Sequence, residues 1–67
     1  MRLILQDKKQ IINFDNAQQI HVREEEITFI WSNEDVLVLH FGDEELAEKI
    51  FNRIISAIEG KREVLHI

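Results

Sequence analysis

DEELAEKIFNRIISAIE, residues 43–59, framed by the chain's two glycines at positions 42 and 60, constrains the fold more than any other stretch. Leu46, Ala47, Ile50, Phe51, Ile54, Ile55 and Ile58 recur in adjacent pairs at helical spacing, which lays a wide apolar face along one side of a helix. Glu44, Glu45, Glu48, Lys49, Asn52, Arg53 and Ser56 fall on the other side. Asp43 is placed to cap the first turn, acidic residues gather at the positive end of the helix dipole, and Glu45 faces Lys49 one turn on. Gly60 is expected in the left-handed conformation at C′, with Lys61 and Arg62 at the negative end. The pattern predicts a helix over residues 43–59.

Ahead of it, β-branched and polar residues alternate in short runs: RLILQ (2–6), QIINF (10–14), QIHVR (19–23), EITFIWS (26–32) and VLVLHF (36–41). The separators are short enough for antiparallel hairpins. The tail after Gly60 predicts a further strand over 62–67, returning to a sheet edge or reaching a neighbour. The fold class expected is therefore α+β: an antiparallel five-stranded meander, strongly coiled or half-closed into a barrel, followed by one amphipathic helix and a short C-terminal strand. All of residues 1–67 are read as one domain. In Asn13-Phe14-Asp15-Asn16 the polar side chains suit a tight corner, with Phe14 folded under it. The competing reading has Asp15 and Asn16 offering oxygens to a ligand, though a lone Asp lacks the spaced carboxylates of a calcium loop.

The strand faces pose a problem of coverage. Ile27, Phe29 and Trp31 project to one side while Ile30 projects to the other; Leu37, Leu39 and Phe41 oppose Val36 and Val38; Leu3 and Leu5 oppose Ile4. One helix covers one side. Ile4, Ile12, Ile30, Val36 and Val38 are then left as a second apolar surface, and burying each is worth about 1.5 to 3 kcal/mol. A chain of 67 residues seldom supports itself on its own core, and without cysteine or a clear metal motif self-association is the remaining supplement. A homo-oligomer, with a dimer favoured, is expected through the sheet face or an edge strand. Trp31 is read as core or, if exposed, as an anchor for a partner.

Chemistry is harder to find. The formal net charge is -5 and no basic stripe offsets it, which argues against duplex DNA and anionic membranes. His21, His40 and His66 lack metal-ligand spacing, Ser32 and Ser56 lack a base partner, and Arg23-Glu24-Glu25-Glu26 reads as a solvated hairpin. No catalytic residue, metal or cofactor is expected, and no enzymatic activity. MRLILQDKK is too short in apolar residues for a signal peptide, and no run reaches a membrane span, so a cytoplasmic location is expected.

IINFDNAQQIHV, the Ile/Phe strand after it, VLVLHFGDEELAEKIFNRIISAI and the short tail together resemble the small β-meander-plus-C-terminal-helix proteins of Gram-positive bacteria and their prophages and plasmids. The resemblance is one of layout. It implies a fold and a bacterial or phage setting and assigns no functional residue. The function expected from the residues is a non-enzymatic protein-interaction module, a small oligomeric scaffold or regulatory adaptor with an unidentified protein partner. The alternative is a nucleic-acid-related role, either a single-strand binder using Phe29, Trp31 and Arg23 or an acidic mimic of DNA.

Overall fold

The computed structural model describes residues 1–67 and contains β1 (Arg2–Leu5), β2 (Gln10–Asn13), β3 (Gln19–Arg23), β4 (Glu26–Ile30), β5 (Val36–His40), α1 (Glu44–Glu59) and β6 (Val64–His66). The α+β class stands, but the five-stranded meander does not. The strands form two sheets of three, ordered β2-β1-β6 and β3-β4-β5. Neither closes into a barrel.

The division falls at the corner between β2 and β3. Asn13 Oδ1 accepts from the Asp15 amide, Asn16 takes a positive φ of 65°, and the Ala17 amide bonds back to the Phe14 carbonyl. Phe14 drops into the core, and β3 leaves in a direction from which it cannot pair with β2. Asp15 is occupied by the corner itself: its carboxylate holds the Met1 amino group and its carbonyl accepts from Trp31 Nε1. The ligand-binding reading of Asp15 and Asn16 thus gives way to a structural one.

Splitting the strands solves much of the coverage problem. Leu3, Leu5, Ile12 and Leu65 from one sheet, Ile27, Phe29 and Leu39 from the other, Phe14 from the corner, and Ala47, Ile50, Ile54 and Ala57 from α1 form one buried cluster. Phe29 is fully enclosed, with Phe14 at a centroid distance of 5.7 Å and Trp31 at 6.0 Å. The tail strand β6 pairs parallel to β1, with Arg2 opposite Val64, Leu3 opposite Leu65 and Ile4 opposite His66. It completes the chain's own sheet rather than reaching a neighbour, because Leu65 then joins Leu3 inside.

The helix begins as its sequence dictates, with the Asp43 side chain accepting from the Glu45 amide at 3.0 Å. Its end differs from expectation. Gly60 has φ -81° and Lys61, at 53°, carries the left-handed turn. The Lys61 amide bonds to the Ile58 carbonyl and the Arg62 amide to that of Ala57, which is a Schellman closure with lysine at C′. Glycine is still the fitting residue at 60, since a Cβ there would lie 3.2 Å from the Ser56 carbonyl oxygen.

Two consequences can be measured. Phe29→Ala should remove about 3 to 5 kcal/mol, enough to leave a domain of this size largely unfolded; retention of a cooperative melt near the wild-type midpoint would contradict the placement of Phe29 at the centre. The tight β3–β4 turn puts Glu24 at φ 53°, where a branched-off Cβ is strained and asparagine is tolerated. Glu24→Asn should therefore raise the unfolding free energy by about 1 kcal/mol, read from the urea midpoint at unchanged slope.

Candidate interaction surface

Antiparallel pairing orders the outer face of the β3-β4-β5 sheet into three rows: Gln19-Ile30-Val36, His21-Thr28-Val38 and Arg23-Glu26-His40. The first row is apolar at two of three positions, the middle row mixed and the third charged or polar. His21 Nε2 donates to Gln19 Oε1 at 2.8 Å, and His40 Nδ1 lies 3.7 Å from Glu26 Oε2. His66 lies on the other sheet, and no group of three His, Asp or Glu side chains is arranged to hold a metal ion.

Of the residues expected on a second apolar surface, Val36 and Val38 are exposed and Ile4 and Ile30 half-buried, all on outer faces. Ile12 is not there. It pairs with Leu3 and points into the core, and Ile11, opposite Ile4, takes the outer position with 67% of its surface exposed. The two isoleucines are adjacent, so a one-residue error in strand phase exchanges their faces. Trp31 is half-buried, stacked on Phe29 and hydrogen-bonded through its indole to Asp15, which makes it a lid on the core rather than a free anchor. With Phe29 enclosed as well, the aromatic platform imagined for single-stranded nucleic acid lacks its central ring.

Main-chain groups supply the part that residue types do not show. Phe41 donates to the Glu25 carbonyl and Trp31 to that of Asp35, so Leu37 and Leu39 turn their amides and carbonyls toward β4. Val36, Val38 and His40 turn theirs outward. By the same alternation Gln19, His21 and Arg23 bond to β4, leaving Ile20 and Val22 with outward groups, and on β2 the open positions are Ile11 and Asn13. None of these outward amides or carbonyls meets a partner elsewhere in the chain. The β6 edge is different, because Arg53 Nη2 reaches from α1 to the His66 carbonyl at 2.8 Å.

The helix adds an apolar flank beside one of the open edges. Its buried residues are Ala47, Ile50, Ile54 and Ala57. Glu48, Phe51, Ile55 and Ile58 each follow one of these and are rotated about 100° to one side. Leu46, Lys49, Arg53 and Ser56 each precede one and lie on the opposite side, where Arg53 meets β6. The first flank therefore looks toward β3, and Ile58 shares with Ile20 the wall of a cavity of about 340 Å³. Ile55 and Ile58 remain 40% and 48% exposed, with Phe51 half-buried between Ile55 and the helix start. The sequence assigned all seven apolar helix residues to the core face; the width of that face was the signal that it exceeded what one small domain covers.

No helix is long and apolar enough to cross a membrane. Comparison with protein-family models, with curated proteins and with solved structures gives no match to this chain.

Proposed function

We propose that this protein is a non-enzymatic protein-interaction module, a small self-associating scaffold or regulatory adaptor. The observation that carries the reading is the coincidence of unpartnered strand edges with exposed aliphatic side chains: β2 with Ile11, β5 with Val36 and Val38, and β3 with the Ile55 and Ile58 flank of α1. An edge strand offers its main chain as a template for another chain, and natural monomers blunt such edges with lysine, proline or bulges. None of β2, β3 and β5 contains a lysine or proline. Strand addition with apolar side chains packed beside it is a recurrent mode of protein recognition. A bacterial or prophage setting, as the layout implies, belongs to the same proposal.

The nucleic-acid alternative is weaker for direct binding, with Phe29 enclosed and Arg23 beside Glu26 on its row. It survives as acidic mimicry, since Glu44, Glu45 and Glu48 crowd the first turns of α1.

Sedimentation across micromolar concentrations should show a species heavier than the 8.0 kDa chain. A titration with fluorescent single-stranded oligonucleotides should give no salt-sensitive signal; such a signal would move the assignment to direct nucleic-acid binding.

A further inference from the structure

We propose that the β3 edge and the Phe51-Ile55-Ile58 flank of α1 dock a second copy of this chain across a two-fold axis. The two β3 strands pair antiparallel and join the halves into one six-stranded sheet, β5-β4-β3-β3-β4-β5, with the two helices side by side on its inner face. The inference rests on the reading of the chain as a self-associating module and names the surface and the partner.

Register supports it first. Ile20 and Val22 hold the outward main-chain groups of β3, so an axis through His21 lets each Ile20 exchange both hydrogen bonds with Val22 of the other copy. Gln19 then stands opposite Arg23, and His21 opposite its own counterpart at a non-hydrogen-bonded position. No like-charged carboxylates or lysines meet on the strand.

Spacing supports it second. α1 lies over β3 and β4 alike. At a strand spacing of about 4.8 Å those strands sit roughly 2.4 and 7.2 Å from the axis, which places a helix seated over both about 4.8 Å from it. The helices are then about 9.6 Å apart, within the 8–10 Å range of packed pairs. Along the strand, His21 is about 3.4 Å from Ile20, and stepping back the same distance from Ile58 at about 1.5 Å per helix residue reaches Ser56 and Ile55. Strand and helix thus place the axis at one level, with the exposed Ile55 on it.

Charge supports it third. α1 runs antiparallel to β3, from the turn after β5 back to Ile58 beside Ile20, so the two helices run antiparallel to each other. Glu48, on the docking flank, falls about seven residues before Ile55 and meets the end of the other helix, where Lys61 and Arg62 follow the last turn. Opposed dipoles and this pairing favour the two-fold arrangement over a parallel one.

Because the chain has no cysteine, single-cysteine variants report the geometry directly. His21 faces its counterpart at a Cα separation of about 4.5 Å, which a disulfide spans. Under a mild oxidant His21→Cys should form a covalent dimer far faster than Val38→Cys on the β5 edge. In sedimentation from micromolar to millimolar concentration the wild type should reach twice the 8.0 kDa chain mass. Val22→Pro, which removes an amide with no partner inside the chain, should raise the dimer dissociation constant at least about tenfold, with circular dichroism reporting the monomer fold. Ile55→Glu, at an exposed helix position, should do the same. A wild type that stays monomeric overturns both this dimer and the self-association in the proposed function. An oligomer that cross-links through Val38→Cys and ignores Val22→Pro overturns the β3 dyad alone.

Discussion

The contact of Phe14 with Phe29 is the point at which the two halves of this fold meet. Phe14 ends one sheet at a corner and Phe29 sits next to the last residue of the central strand of the other, and their rings meet tilted at 45°. That contact holds two three-stranded sheets with their apolar faces toward a common interior. A single sheet would have left Leu3, Leu5 and Ile12 on a face that α1 could not reach together with Ile27 and Leu39. Two sheets and a helix enclose twelve residues without a disulfide or a metal.

Enclosure inside does not finish the outside. Four non-glycine residues, Lys9, Asn16, Glu24 and Lys61, take positive φ at turns and at the helix end; away from asparagine each costs on the order of 1 kcal/mol. A core this small leaves a narrow margin against such costs. On the β6 edge Arg53 covers the His66 carbonyl, while β2, β3 and β5 have no side chain on their outward main-chain groups. Association through one of them, as proposed above, would remove the open edge and shield aliphatic surface in the same step.

The helix was legible almost to the residue, since Asp43, the apolar spacing and Gly60 all point to the same limits. Its last turn differs by one position because the left-handed residue is Lys61, while a Cβ at Gly60 would crowd the Ser56 carbonyl. Each strand was found, with one residue too many at Gln6, Phe14 and Phe41, two at Trp31-Ser32, and in the tail two before Val64 and one after His66. Sheet order was not legible: hairpin lengths report that neighbours can pair, and the refusal of β2 to pair with β3 depends on the direction imposed by Asn16 and on where Phe14 lands. The outer-face residues were found where polar and apolar positions alternate, as at Ile30, Val36 and Val38. They were misassigned in Ile11-Ile12, where two identical side chains carry no phase. Which edges stay free was not legible, because every residue type except proline has the same amide and carbonyl.

The pairing of β6 with β1 gives the topology a kinetic character. Arg2 beside Val64 closes nearly the full length of the chain into one loop, and in parallel orientation no hairpin can nucleate it. The β3-β4-β5 hairpins and α1 are built from near neighbours and can assemble while that loop is still open. The terminal strand is then the final clasp, and until Leu65 seats beside Leu3 the flank of β1 stays bare and open to mispairing.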